Sequence, residues 1–149
     1  MSIRTEDRGE TLLEILISVV ILGITGVAIL SGLMTTVTVS DMHRKQATAG
    51  AVAQDYAETV SRYVAADHYV ECATAAAYAP GVVGFTPPGG YTASIAGVEY
   101  WNAATTTFSG TCSSSGLERV TVQVASTDGR ATEDVVVVVR RPCGGGSSC

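Results

Sequence analysis

The sequence is poor in charged and aromatic residues, and the charge that it carries is mostly acidic. Only 15% of its 149 residues are charged and 6% are aromatic, and 14 acidic residues against 9 basic ones give a formal net charge of −5. A general nucleic-acid-binding protein needs a basic face, so this balance argues against that class. Hydrophobic residues make up 46% of the chain, which is too much for a disordered protein. The length suits one small domain.

Charge is missing altogether from residues 15–40, which contain no Asp, Glu, Lys, Arg or His. The apolar run from Leu12 to Met34 includes a single charged residue, Glu14. As a helix this run would rise about 35 Å, enough to cross the hydrocarbon layer of a membrane. It is longer than the apolar core of a secretory signal peptide, and no Ala-x-Ala cleavage site follows it. We therefore predict a retained membrane helix.

Glu14 is the unusual residue of this helix, because a carboxylate within a membrane span is unfavourable by a few kcal/mol unless it is paired or close to the interface. One interpretation is local. Thr11 and Glu14 have the T-x-x-E spacing of a capping box, in which the glutamate binds a backbone N–H at the helix start. The other interpretation is functional, with Glu14 pairing with an opposite charge. These residues alone leave both open.

The residues around Glu14 resemble the type IV prepilin cleavage and methylation motif, which is shared by type IV pilins, minor pilins and the pseudopilins of type II secretion. The motif is a short charged leader ending in glycine, then a residue that is usually phenylalanine, then threonine, leucine, a variable residue and glutamate before a long apolar helix. Gly9, Thr11, Leu12 and Glu14 fit this pattern. Glu10 stands where the family usually has phenylalanine, and its carboxylate shares a helix face with that of Glu14, so the two repel.

This resemblance implies a maturation step and a role in assembly. A membrane-bound prepilin peptidase would cut between Gly9 and Glu10 on the cytoplasmic side and then N-methylate Glu10. Glu14 would pair with the N-terminal amine of a neighbouring subunit. Basic residues flank the apolar run on both sides and do not orient it. The resemblance does, with the leader in the cytoplasm and the C-terminal part outside.

The same pattern divides the chain into a leader, 1–9, a transmembrane and assembly helix, 10–40, and an extracytoplasmic domain, 41–149. The outer domain begins with an amphipathic helix over 41–66, which would extend the membrane helix to a length of about 80 Å. Its apolar stripe is Val52, Tyr56, Val60 and Tyr63 or Val64. The remaining segments are a loop region over 67–116, with loose strand character at 91–101, a β-hairpin over 117–141 and a Cys/Gly tail over 142–149.

The clearest β pattern lies in the hairpin. The stretch LERVTVQVA alternates apolar and polar residues and places Val120, Val122 and Val124 on one face. An Asp-Gly turn follows, and then a return strand. A long helix followed by a small antiparallel sheet predicts an α+β fold, and the resemblance implies the same pilin-like architecture.

The return strand carries five consecutive valines, 135–139, and is therefore apolar on both faces. Such a strand is either central in its sheet or faces a neighbouring subunit. Two acidic residues precede the valines and two basic residues follow them, as charged gatekeepers that limit aggregation at a sheet edge. They are Glu133, Asp134, Arg140 and Arg141.

All the cysteines lie in the part that is predicted to be outside, where oxidation is possible. They are Cys72, Cys112, Cys143 and Cys149. Four cysteines allow three connectivities. We favour Cys72–Cys112, with Cys143–Cys149 closing the tail. The alternative joins a tail cysteine back to the domain, as pilins often do near their C-terminus.

The sequence offers little for metal binding or catalysis. His68, Glu71 and Cys72 have helical ligand spacing, but no C-x-x-C pair or second histidine completes a zinc set. We therefore expect no metal and no other cofactor. Only His43 and His68 could act as bases near neutral pH, and no nucleophile, phosphate-loop or metalloprotease motif occurs. We expect that the protein is not an enzyme.

Our functional hypothesis is a structural subunit of a type IV pilus or related filament, and a minor one, because Glu10 is atypical and the membrane helix lacks the proline of many major pilins. It would reside as a single-pass protein in the cell membrane, with its N-terminus cytoplasmic, and then in an extracellular filament. Its partners would be the prepilin peptidase, other pilins, and an assembly ATPase with its platform protein.

Two alternatives stay open: a pseudopilin of a type II secretion or DNA-uptake apparatus, and a membrane-anchored adhesion or binding module that does not polymerise. Nucleic-acid binding would depend on a few arginines of the hairpin, which are more typical of solvated charges. These are Arg119, Arg130, Arg140 and Arg141.

Overall fold

The computed structural model describes residues 7–143, and the side chains of residues 11–143. The chain separates into two compact units, an N-terminal unit up to Asp41 and a C-terminal unit from Met42. The helices are α1 (Asp7–Tyr63) and the short α2 (Pro80–Val83), and the strands are β1 (Tyr91–Asn102), β2 (Thr107–Ser109), β3 (Leu117–Ser126) and β4 (Thr132–Arg140). The predicted α+β fold, a long N-terminal helix packed on a small antiparallel sheet, is confirmed.

In the N-terminal unit, the α1 helix consists mainly of aliphatic residues and contains no proline. Its threonine hydroxyls donate hydrogen bonds back to carbonyls of the preceding turn. Thr25 bonds to Ile21 O at 2.9 Å, and Thr36 bonds to Gly32 O at 2.9 Å. These bonds satisfy the hydroxyls within the helix itself, so the hydroxyls need no hydrogen-bond partner outside it.

In the C-terminal unit, α1 is amphipathic and covers one face of the sheet. Ala49, Ala53, Tyr56 and Val60 are fully buried, whereas residues on the opposite side, such as Glu58, are exposed. The small alanine side chains occur where the helix packs beside Val124 and Ala131. The predicted apolar stripe is thus confirmed, with Val52 and Tyr63 partly buried at its margins.

The helix ends close to where the pattern predicts. A π-helical turn follows α1 over Val64–His68 and ends the helix. Asp67 there has φ 70°, in the left-handed region that a continuing right-handed helix excludes. The chain then passes through a 3₁₀ turn, Ala75–Tyr78, and α2 before it enters the sheet.

The sheet has four antiparallel strands in the order β2-β1-β3-β4. β3 alternates strictly between buried and half-buried residues, as its sequence predicts. Val120 pairs with Val98 on one side and with Val137 on the other, so the buried face is a valine layer under α1. β4 is an edge strand of this sheet, and the interpretation of its valine run as a central strand is wrong.

The assignment of 67–116 as a loop region is too broad, because this segment contains β1 and β2. β1 is the longest strand, and it lies between β2 and β3. The loose strand character at 91–101 corresponds to β1. The alternation is weak because the register shifts between Ile95 and Gly97, which moves later side chains to the other face, and because several residues are small.

The turn between β3 and β4 contains the predicted Asp128-Gly129 pair. Gly129 has φ 70° and donates its N–H to Ser126 O at 2.9 Å. A glycine suits this turn because it adopts positive φ without steric cost. Lys45 of α1 forms an ion pair with Asp128, which ties the helix to the turn and lowers the pKa of the Asp128 carboxyl well below its ordinary value.

Candidate functional site

The N-terminal unit presents a continuous apolar surface on a single helix. Side chains of residues 11–40 are exposed throughout, and the large aliphatic ones from Leu12 to Val39 expose 46–76% of their surface. Soluble monomers rarely leave an apolar patch of this extent in water. Within the described residues, one helix is long enough and apolar enough to cross a membrane by its length and composition, and this segment lies in it near the N-terminus.

Glu14 is the single charged side chain within this apolar surface, and it is exposed. The capping-box interpretation is wrong, because α1 begins at Asp7 and Thr11 is already inside it. The backbone N–H groups near Glu14 are therefore committed to the helix ladder, not left over at a helix start. Among the described side chains, none lies within hydrogen-bond or ion-pair distance of Glu14.

The proposed processing site lies at the very start of α1. Gly9 and Glu10 belong to its backbone, but the side chain of Glu10 lies outside the described residues, as do residues 1–6 of the leader. Cleavage after Gly9, and N-methylation of Glu10, therefore stay predictions. So does the contact between Glu14 and a neighbouring amine.

A disulfide bond joins two distant segments of the C-terminal unit. Cys72, in the segment after α1, is bonded to Cys112, in the loop between β2 and β3, with a Cα–Cα distance of 5.4 Å. This is the pairing that the sequence analysis favours. Cys143 is also disulfide-bonded, whereas Cys149 lies outside the described residues, so its pairing with Cys143 stays a prediction.

Glu118 is a buried acid that the sequence analysis missed. Its side chain is 1% exposed, next to the disulfide segment. Its Oε1 accepts the N–H of Ala73 at 3.1 Å, and its Oε2 accepts the hydroxyl of Tyr78 at 3.0 Å. The strand period could have revealed it, because Glu118 lies two residues before Val120 and so shares the buried face of β3.

Two further tyrosines extend this buried polar cluster. Tyr100 donates to Ala73 O, and Tyr56 of α1 donates to Tyr78 O, each at 2.8 Å. Burial raises the pKa of Tyr56 to about 12. Burial, and then the neighbouring Glu118, raise the pKa of the Tyr78 hydroxyl well above its ordinary value. The hydroxyls of Tyr56 and Tyr78 therefore stay protonated as donors. The cluster joins α1, the segment after it and β3.

The three residues with ligand-like spacing do not form a metal site. Cys72 is oxidised in its disulfide, and Glu71 is paired with Arg141 at 2.6 Å. The ring of His68 stacks on that of Tyr63 at a centroid distance of 4.4 Å. Over residues 7–143 no group of three or more potential His, Cys, Asp or Glu ligands occurs. His43 lies exposed on α1.

The hairpin arginines are largely neutralised by nearby acids. Arg119 pairs with Glu99 across the strands at 2.5 Å, Arg130 lies 3.8 Å from Asp128, and Arg141 pairs with Glu71. The positive charge of these three arginines is therefore offset locally. Arg140 lies exposed at the end of β4.

Comparison with known family models, with curated proteins and with solved structures yields no match.

Proposed function

We propose that this chain is a minor structural subunit of a type IV pilus or a related filament. It is made as a precursor in the cell membrane, cleaved by a prepilin peptidase after Gly9, and polymerised through the N-terminal half of α1. The outer domain, from residue 41 onward, is carried outside the cell and becomes part of the extracellular filament.

The observation that carries this proposal is an apolar helix surface with one acid on it, exposed from Leu12 to Val39. A membrane anchor alone has no use for a carboxylate at Glu14, which is unfavourable in lipid. A polymerising helix does have a use for this carboxylate. Its apolar surface packs equally well against lipid and against neighbouring helices. Moving from membrane to filament then costs little apolar contact, and the pairing of Glu14 drives and aligns the transfer.

Proteolysis supplies the partner for this acid. A cut after Gly9 turns the amide of Glu10 into an ammonium group at the end of the helix. A buried charge is stabilised by an opposite one, so Glu14 of one subunit attracts the new ammonium of the next. Glu10 brings its own carboxylate close to the same amine, and it competes with Glu14 for that charge.

The C-terminal unit suits exposure outside the cell. The Cys72–Cys112 disulfide is stable in an oxidising compartment. The hydrogen bonds of the buried Glu118 also stabilise the core under α1. The proposed partners are the peptidase, other pilin subunits, and the assembly ATPase with its platform protein.

The decisive experiment substitutes Glu14→Ala and follows the protein through membrane and sheared-fibre fractions. We expect the variant to remain in the membrane and to be lost from the fibres, because its helix has no acid to pair with the incoming amine. The matched control is Glu58→Ala, which removes an exposed glutamate from the C-terminal part of α1 and should enter fibres normally. Normal incorporation of Glu14→Ala would refute the proposal.

The same fractions separate the alternatives. A pseudopilin would be cleaved after Gly9 but would stay with the cell envelope after shearing. An adhesion module that never polymerises would keep an intact Gly9–Glu10 bond, which mass spectrometry of the native N-terminus detects.

A further inference from the structure

The edge strand β4 has a charge pattern that is complementary to itself. Its valines are preceded by two acids and followed by two bases, so the sequence from Glu133 to Arg141 reads acid, acid, five valines, base, base. Reversing the direction of the strand exchanges acids for bases. A pattern of this kind matches a second copy of the strand running the opposite way.

The register that uses this pattern is centred on Val137. In an antiparallel pair, residues directly opposite each other share a face of the sheet. Pairing about Val137 puts Asp134 opposite Arg140 of the second copy, and Val136 opposite Val138. On the other face it puts Glu133 opposite Arg141, which pairs with Glu71 within its own chain, so the pairing depends on Asp134 and Arg140.

Competing registers lose these matches. A two-residue shift places Arg140 opposite Val136 or opposite Thr132, and it leaves both charge pairs broken. Parallel pairing in register sets Asp134 beside Asp134 and Arg140 beside Arg140, which is repulsive. The charges that prevent random edge aggregation therefore also select one pairing.

The exposure of β4 agrees with this pairing. Asp134, Val136, Val138 and Arg140 all lie exposed on the face away from α1, and the two valines expose 57% and 52% of their surface. Among residues 7–143, β4 is paired on one side with β3, and its other side carries no strand.

The two charged groups of the proposed pair are available for it. Gln123 donates a hydrogen bond to one carboxylate oxygen of Asp134 at 3.0 Å, and the second oxygen is available. Arg140 has no hydrogen bond or ion pair to the described side chains.

We infer that the free edge of β4 binds the β4 strand of a second copy of this chain, antiparallel and centred on Val137, to form a symmetric dimer with one continuous sheet. Main-chain hydrogen bonds supply the contact, and the Asp134–Arg140 pairs set its register. This contact uses the outer domain and not the N-terminal helix, so it does not depend on the proposed function.

The test uses the full chain in detergent micelles, carrying either of two affinity tags, and measures co-purification of the tags after mixing. We expect Arg140→Asp alone and Asp134→Arg alone to weaken self-association about tenfold or more, because each places like charges opposite each other at two symmetric positions. A mixture of the two variants should recover native association, because every pair is then opposite in sign.

A matched control and a contact map complete the test. Arg62→Asp reverses an exposed arginine of α1, which is not a residue of the β4 edge, and should leave association unchanged. A photo-cross-linking residue in place of Val138 should label the Val136 region of the second copy. Circular dichroism verifies that each variant is folded. Folded single variants that associate like the native chain, or a mixture that fails to recover association, would show that the edge serves another partner and overturn the inference.

Discussion

Tyr78 donates its hydroxyl to the carboxylate of Glu118 at 3.0 Å, and both side chains are fully or almost fully buried. The contact joins residues 40 positions apart. It connects the 3₁₀ turn after α1 to the start of β3. The core around it otherwise consists of valines, alanines and aromatic rings. This pair makes the outer domain depend on a satisfied polar cluster as well as on apolar packing.

Removal of the carboxylate should therefore be costly. Glu118→Ala leaves the Ala73 N–H and the Tyr78 hydroxyl buried without an acceptor, and we expect the free energy of unfolding to fall by about 3 kcal/mol. Glu118→Gln keeps one acceptor oxygen and should cost less. Urea unfolding measures both. The control is Glu99→Ala, which breaks a half-exposed ion pair with Arg119 and should cost about 1 kcal/mol or less. Equal losses for Glu118→Ala and Glu99→Ala would contradict a structural role of the cluster.

Two tyrosines with raised pKa values, the buried Tyr56 and the half-buried Tyr69, predict a fall in the stability of the fold at alkaline pH. Burial raises the pKa of Tyr56 to about 12, and the pKa of Tyr69 is raised to about 12 by burial and by Glu118. The folded state thus holds these protons more tightly than the unfolded state, whose tyrosines titrate near 10. Stability is fully present below pH 10 and decreases as the pH rises from about 10 to about 12.

For Tyr56 the loss reaches about 3 kcal/mol at most. The measurement is urea unfolding at a series of pH values, with phenolate absorbance recorded in parallel. Tyr56→Phe has no proton to lose and should show a shallower alkaline slope. If that slope matches the native one, Tyr56 does not contribute to the pH dependence.

The Cys72–Cys112 disulfide predicts that the stability of the folded chain depends strongly on the oxidation of these cysteines. Cys72 and Cys112 are separated by 40 residues, and closing a loop of this length stabilises the folded state by about 4 kcal/mol in the chain-entropy model. We expect the double variant Cys72→Ala, Cys112→Ala to lose about 2 to 4 kcal/mol of unfolding free energy, measured by urea unfolding without reductant. Adding reductant to this variant should change its stability little. A double variant as stable as the native chain would show that the disulfide does not contribute to the free energy of unfolding.

The proposed cleavage after Gly9 predicts that the mature chain has a single, defined N-terminus. In cells that contain the peptidase, the native chain should begin at N-methylated Glu10, as read by mass spectrometry. Gly9→Val should retain the leader, because a branched side chain replaces glycine at the bond to be cut. Gly23→Val is the matched control and should be cleaved normally, since a Cβ added at Gly23 meets no described atom within 4 Å beyond the adjoining backbone of its own helix. A native chain that still begins at Met1 would count against the whole maturation scheme.

Some elements were predictable because their cause is local. The alternation of Val120, Val122 and Val124, and the turn at Asp128-Gly129, follow from side-chain period and turn chemistry within a few residues. Other elements were not. β1 was hidden by its bulge beside Gly97, and the capping-box interpretation of Glu14 failed because α1 begins upstream of Thr11.

By itself the sequence determined the α+β class, the apolar helix with its single acid at Glu14, and the hairpin, because hydrophobic period and charge are properties of neighbouring residues. Only the tertiary structure decided that β4 is an edge strand and that Glu118 accepts bonds from Ala73 and Tyr78. Strand order and the partners of a buried carboxylate depend on residues far apart in the chain. Their contacts form only when long-range packing brings them together, and no local pattern specifies them.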